Sequence, residues 1–158
     1  MELQILSENF RGIVLKHIND EWGGLIIVTK GNIINTNDLP GFVMVDNNHL
    51  AGAVLYQIKD NECEIVVIFS FIESKGVGTK LIDSVIDVAK KEKCKRVWLI
   101  TTNDNTQAIR YYQKRGFSLK AVHINAFEVT KKIKGELEGV LGIDNIPILH
   151  EFEFEIIL

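Results

Sequence analysis

Thiols are scarce in this chain of 158 residues, which has two cysteines, Cys63 and Cys94. They form no Cys-x-x-Cys pair and have no histidine-rich neighbourhood, which excludes a disulfide framework and a zinc knuckle. The lysines around Cys94 favour its thiolate, yet no base or oxyanion loop adjoins it in sequence, so both thiols are expected to be structural. Long apolar runs are missing too. No stretch reaches membrane-spanning length, and Met1-Glu2-Leu3-Gln4-Ile5-Leu6 lacks the positive start and apolar core of a signal peptide, so a cytoplasmic protein without a membrane partner is expected. Positive charge is not in excess either. The net charge is -3, and the basic residues are interspersed with acidic ones, which argues against nucleic acid as the main partner. The densest basic run, Lys90-Lys91-Glu92-Lys93-Cys94-Lys95-Arg96, reads as a solvated helix end whose cations complement the negative end of the dipole.

What is present is the composition of a globular domain, 46% hydrophobic and 25% charged. With no linker, repeat or low-complexity segment, residues 1–158 are expected to form a single domain. Glu2 to Leu6 reads as a strand and Ser7 to Asp20 as a helix capped by Ser7, with Phe10, Ile13, Val14 and His17 inward. Leu25 to Thr29 and Gly31 to Asn35 read as a hairpin or a long bent strand. Phe42 to Val45 and Ala51 to Ile58 flank the polar turn Asp46-Asn47-Asn48-His49, and Asp60-Asn61 turns the chain into Glu62 to Phe71, giving an antiparallel meander. The apolar run from Cys63 suits a central strand, with Glu62 and Glu64 at its entrance. Thr130 to Leu149, with scattered apolar residues, reads as a long surface excursion with room for short structure. His150 to Ile156 alternates, which predicts a strand with phenylalanines inward, glutamates in solvent, and an edge through which a homodimer could pair.

The chemistry concentrates in Phe71-Ile72-Glu73-Ser74-Lys75-Gly76-Val77-Gly78-Thr79-Lys80-Leu81-Ile82. Val77, Leu81, Val85 and Ala89 recur at helical spacing beside Ile82 and Ile86, so a helix begins close to Gly76. A glycine turn at a helix start offers unpaired N–H groups and the positive end of a dipole to a phosphate. Taken alone, the segment is equally an ordinary helix start. The spacing is wrong for a Walker loop, and a dinucleotide fingerprint would want glycine where Leu81 stands.

A second constellation runs from Asn103 to Phe117, after the strand Arg96 to Thr102. Asn105 reads as a helix cap, Ala108, Tyr111 and Tyr112 share one side of the helix, and Gly116 stops it. Together Ser74-Lys75-Gly76-Val77-Gly78-Thr79 and Asn105-x-x-Ala108-x-x-x-Tyr112-x-x-x-Gly116-Phe117 resemble the two acyl-CoA-binding motifs of the GCN5-related N-acetyltransferase (GNAT) superfamily. The order of elements is similar over most of the chain. Looser likenesses to a bacterial single-domain branch are Trp22-Gly23, Leu39-Pro40-Gly41 and Ile146-Pro147-Ile148. The resemblance implies an α/β fold with a central mixed, mostly antiparallel sheet flanked by helices. One departure is Glu73, where many members carry Gln or Arg; it implies weaker or differently oriented CoA binding.

The activity so implied is acetyl transfer from acetyl-CoA to an amine on a small molecule or a protein. The cofactor would meet Ser74, Lys75, Gly76, Val77, Gly78, Thr79, Asn105 and Tyr112, together with strand residues in the Val66 to Ser70 region, Ile68 and Ser70 among them, one of whose backbone N–H groups would face the developing oxyanion. Tyr112 matches the family's tyrosine that protonates the leaving thiolate. For the base, burial beside an apolar strand would raise the carboxyl of Glu64 or Glu62 towards neutrality, with His123 and His150 as alternatives. Trp22 and Tyr56 would line the acceptor pocket by the same resemblance. Each has a plainer reading as well: Tyr112 as packed aromatic, Glu64 as hairpin-end charge, Trp22 as helix anchor. A CoA-binding sensor that does not turn over is the alternative function.

Overall fold

Three tight turns set the strand register. Lys30-Gly31, Asn47-Asn48 and Asp60-Asn61 all have positive φ at both positions, from 49° at Asn47 to 76° at Gly31. That is the type I′ geometry whose twist matches the flanking strands, and it explains why asparagine, aspartate and glycine stand there. The structure, a computed structural model, describes residues 1–135 and 141–158. In chain order the elements are β1 (Glu2–Ile5), α1 (Glu8–Trp22), β2 (Ile26–Thr29), β3 (Asn32–Asn35), β4 (Gly41–Asp46), β5 (His49–Lys59), β6 (Glu62–Ser70), α2 (Val77–Lys91), β7 (Arg96–Thr102), α3 (Thr106–Lys114), β8 (Ser118–His123), α4 (Phe127–Lys134), a short 3-10 turn at Ile143–Asn145, and β9 (Glu151–Ile157). The fold is α/β, with mostly antiparallel pairing and flanking helices, as expected; among the described residues the helices number four.

Contacts group the residues into two units, neither contiguous in sequence. The first contains 1–27, 35–97 and 157–158; the second contains 28–34 and 98–156. In the first unit the strand order is β1-β4-β5-β6, all antiparallel. Its core holds Val43, Ala53, Val54 and Leu55 with Val77, Leu81, Val85 and Ala89 of α2, each at most 1% exposed. The helical stripe read from the sequence is therefore the face that packs on β4, β5 and β6. Gly52 permits this approach, since a Cβ there would lie 2.7 Å from both Val77 Cγ1 and the Phe69 carbonyl oxygen. β6 carries a bulge: Leu55 pairs with Val67 and Tyr56 with Ile65, leaving Val66 without a partner on β5. α1 turns Val14 and Ile18 inward, whereas Ile13, expected inside, is 53% exposed. Arg11 reaches from this helix to the carbonyls of Asn37 and Leu39 at 3.1 and 3.0 Å, fixing the Leu39-Pro40-Gly41 turn.

In the second unit the order is β7-β9-β8. Two expectations about the C-terminal strand are corrected by the structure. β9 has a neighbour on both sides, so it offers no free edge; and Glu151 and Glu153 are buried, at 3% and 4% exposure, as is Phe154 at 1%. Alternation identified the strand but not its solvent face, because both faces are covered. The excursion expected over Thr130 to Leu149 carries short structure: α4 runs through Lys134, and Leu141 bridges Pro147. Positions 136–140 of that stretch lie outside the described residues.

Both cysteines are buried and free. Burial, reinforced by Cys94 and Glu64, pushes the Cys63 thiol up to about 12. Cys94 is raised as well, by burial and then Glu92, against the expectation that its lysines would favour the thiolate. Among the described residues no helix is long and apolar enough to cross a membrane.

The close contact at Gly52 generates a test. Gly52→Ala should destabilise the protein by about 1–3 kcal/mol in chemical denaturation, because Val77 and the Phe69 carbonyl must give way; an unchanged midpoint would show that α2 is not seated there.

Candidate active site

The glycine loop has the geometry of an anion cradle. Ser70, the last residue of β6, turns the chain through its hydroxyl, which donates to the Ile72 carbonyl at 2.8 Å and accepts the Ile72 N–H at 3.2 Å. Ser74 and Gly76 then take left-handed backbone conformations, with φ of 60° and 73°. Gly76 is the N-cap of α2; no side chain caps this helix, and its first turn holds no acidic residue. A helix start left uncapped in this way presents N–H groups and a positive dipole end to any anion that arrives. Open space surrounds Gly76, where an added Cβ would meet nothing within 4 Å. Ser74, Lys75 and Gly76 are exposed, Gly78 and Thr79 half-buried, and Val77 buried as the helix's first core residue. Glu73 is exposed in the same loop.

Next to this loop in the first unit, aromatic rings gather. His17 of α1 lies 4.2 Å from Phe69, 4.8 Å from Phe71 and 6.3 Å from Trp22, centroid to centroid. Trp22 and Phe71 keep 36% and 51% of their surface in solvent. Tyr56 belongs to a different aromatic group, with its ring 6.2 Å from Phe42 and nearly parallel to it. Burial, then Cys63 and Glu92, raise its phenol above the ordinary value. Ile68 pairs with Val54 and is half-buried.

The structure separates the two carboxylates at the start of β6. Glu62 forms an ion pair with Arg96 at 2.8 Å. Glu64 is 3% exposed and accepts a hydrogen bond from Gln57 Nε2 at 3.0 Å, two residues before the bulge at Val66. His123 and His150 are both engaged in the second unit: His123 Nε2 lies 2.9 Å from Glu153 Oε1, and His150 Nδ1 accepts the Asn125 N–H at 2.8 Å.

In that unit α3 is built as its sequence suggests. Asn105 Oδ1 accepts the Ala108 N–H at 3.2 Å, a side-chain cap. At the other end Gly116 donates to the Gln113 carbonyl at 3.1 Å and Phe117 to that of Tyr112 at 3.0 Å, with Gly116 at φ 98°. That is a Schellman ending, completed by the apolar contact of Phe117 with Tyr112 at 5.6 Å between centroids. Tyr112 also contacts Tyr111 and Phe154, and is 9% exposed. Burial, then the neighbouring Tyr111, push its phenol well above the usual value. The Tyr111 hydroxyl is buried with no hydrogen-bond partner among the described residues.

The sequence reading missed Asn103 and Asp104 as anchors. Asn103 donates to the Pro147 carbonyl at 2.9 Å and accepts the N–H groups of Leu149 and His150 at 2.8 and 2.9 Å. Asp104, 4% exposed, accepts the Ile143 N–H at 3.0 Å and the Thr102 hydroxyl. A polar pair between a strand and a cap reads as turn chemistry, and nothing local reveals a partner some forty residues away.

Among known proteins, the sequence model of the acetyltransferase (GNAT) family matches residues 5–117. Two uncharacterized proteins of Bacillus subtilis (strain 168) are similar. YxbD is 35% identical over 142 residues, covering 89% of each chain. YdhI is 40% identical over 120 residues, covering 75% of each. A Bacillus subtilis acetyltransferase solved in complex with CoA has a similar fold, with a TM-score of 0.69 at 20% identity over 99% of each chain.

The anchoring role of Asn103 is open to measurement. Asn103→Ala should speed hydrogen exchange at the Leu149 and His150 amides, leave helical circular dichroism unchanged, and cost about 1–3 kcal/mol of stability; unchanged exchange would mean the segment is held otherwise.

Proposed function

The chain belongs to the acetyltransferase (GNAT) family, and we propose from that premise how its residues divide the work of moving an acetyl group from acetyl-CoA to an amine. The observation that carries the assignment is the uncapped start of α2 behind left-handed Ser74 and Gly76. We assign the pyrophosphate of acetyl-CoA to the loop Ser74 to Thr79, which binds through backbone N–H groups with Lys75 adding positive charge. Glu73, exposed in the loop, turns its carboxylate to solvent in this reading.

Around the reacting atoms, Val66 has no partner on β5, which supports a donor from the Val66 to Ser70 backbone for the oxyanion. Ile68 and Ser70 contact the cofactor in this assignment, and Asn105 does so besides capping α3. Glu64 is the base, acting directly or through water on the acceptor's ammonium; its burial and its place two residues before the Val66 bulge favour it over Glu62. Tyr112 serves the leaving thiolate. A free thiol titrates near ~8.5, and a phenol raised above its ordinary ~10 does not give up its proton fully to such a thiolate. The role is therefore donation of a hydrogen bond that stabilises the departing sulfur. Trp22, in the ring cluster with His17, Phe69 and Phe71, supports an acceptor pocket with an aromatic wall. Tyr56 is kept as an acceptor contact on the family resemblance alone.

The finer statements about setting are also proposals. We place the protein in the cytoplasm, on its lack of long apolar runs, and acting without nucleic acid, on its acidic balance and scattered basic residues. A homodimer formed by strand pairing would use β1 or β8, since β9 is flanked. We treat residues 1–158 as one domain, because each unit takes segments from separate parts of the chain.

Calorimetric titration with acetyl-CoA, beside NAD and ATP, tests the cofactor assignment: acetyl-CoA alone should bind, at micromolar strength. Thiol release with a panel of amines then separates an enzyme from a sensor. Tyr112→Phe should lower kcat by about 100-fold or more with little change in the KM for acetyl-CoA. Because the raised phenol keeps its proton until well above its ordinary pKa, the parent rate should show no Tyr112-dependent fall up to about pH 10. A Tyr112→Phe variant of full activity would remove this residue from the chemistry.

A further inference from the structure

Exposed aromatic rings are few on this chain, and they converge. Among the described residues, the exposed large apolar side chains include two aromatic ones, Trp22 at 36% and Phe71 at 51%. Both stand against the same imidazole. His17 lies 6.3 Å from the Trp22 ring and 4.8 Å from that of Phe71, edge to face in each case. Phe69 backs the group, 4.2 Å from His17 and 5.3 Å from Phe71. Single exposed apolar residues are ordinary, whereas neighbouring exposed rings mark a surface that a further molecule covers.

Each ring stands on a fixed backbone. His17 belongs to α1, whose Val14 and Ile18 are fully covered. Trp22 ends that helix, where Gly23 turns left-handed and the Gly24 N–H donates to the Asn19 carbonyl at 3.2 Å. Phe69 pairs with Ala53 in β6. The Phe71 N–H donates to the Ala51 carbonyl at 2.8 Å, and the residue after it is clamped by the Ser70 hydroxyl. Rings presented in this way are ordered before a ligand arrives, so covering them costs little further freedom. Ring packing alone engages the group: the His17 imidazole has no hydrogen bond or ion pair, and Phe69 and Phe71 carry no cation over their rings, among the described residues.

Position ties this surface to the chemistry. All four rings lie in the first unit, with the glycine loop. Phe69 falls within the Val66 to Ser70 stretch assigned to the oxyanion donor, and Phe71 stands on the way from that stretch to left-handed Ser74.

We propose that the acceptor is a small amine bearing an aromatic ring, and that Trp22, Phe71 and His17 form the subsite that takes this ring. The inference rests on the acetyl-transfer reading of the glycine loop. Aromatic rings favour edge-to-face and offset contacts, and a ring entering here extends an array already built that way. Anchoring through the ring places no demand on the amine, which must be neutral to attack. In the transfer the neutral amine attacks the thioester carbonyl, the C–S bond breaks, the amide forms, and one amine proton ends on the CoA thiol; the aromatic ring is unchanged.

The test is calorimetric titration of the CoA-saturated protein with 2-phenylethylamine and, separately, with 2-cyclohexylethylamine. The two share a carbon skeleton and an amine, and the saturated ring is at least as apolar, so a preference for the first reads ring geometry and not area. 2-Phenylethylamine should bind with single-site stoichiometry and about threefold or more tighter. Phe71→Leu and Trp22→Leu keep an apolar side chain but remove its ring; each should bring the two amines to near-equal binding while the CoA titration stays as in the parent, and either alone suffices should the other not fold. Equal binding of the two amines by the parent, or binding of neither, overturns the proposal. So does a preference that survives both substitutions, which would place the ring elsewhere. CoA binding by the parent without the aromatic preference defeats this inference alone, whereas loss of CoA binding defeats the acetyl-transfer reading and this inference with it.

Discussion

The packing of α2 on β5 is the constraint on which the rest of the first unit depends. An uncapped helix start binds an anion only if the helix is held, since free N–H groups and an unneutralised dipole end are otherwise a cost. Here Val77, Leu81, Val85 and Ala89 hold it, and Gly52 makes room at its first turn. The glycine in β5 and the glycines of the loop therefore do different jobs. Gly52 is needed for space, with Val77 Cγ1 2.7 Å from where a Cβ would stand. Gly76 is needed for its backbone angle, with nothing around it.

In the second unit the same economy operates through hydrogen bonds. The dipeptide Asn103-Asp104 holds the segment from Ile143 to His150, while its neighbour Asn105 caps α3. Three successive polar residues between strand and helix thus fix both the helix that begins beside them and the segment that returns to them near the end of the chain. The Schellman ending of α3 adds a further economy, because the Tyr112 ring that contacts Phe117 to close the helix also carries the phenol assigned to the thiolate.

Most of the fold is legible in the sequence because its signals are local. β7 has the ends its sequence suggests, α2 declares itself through its apolar stripe, and the hairpin turns through paired Asn, Asp and Gly residues. Ile13 departs from expectation because α1 presents a narrower face than its apolar residues suggest. β9 departs in which residues point inward, since alternation cannot distinguish water from a second covered face, and the partners of Glu151 and Glu153 come from a turn more than a hundred residues earlier. For the site, the two motifs are visible as motifs. What they cannot reveal is the state of the groups in them: Tyr112 packed on three sides by aromatic rings, or Glu64 buried where Glu62 is only half-covered.

The two buried thiols bear on how the molecule meets its own product. Each turnover releases CoA as a free thiol, and under oxidising conditions that thiol becomes a disulfide able to capture exposed protein thiolates. With Cys63 fully covered, its thiol raised to about 12, and Cys94 raised and 6% exposed, the chain offers oxidised CoA almost no thiolate to attack. The hydrophobic core thus doubles as insulation, separating the protein's sulfur from the cofactor's.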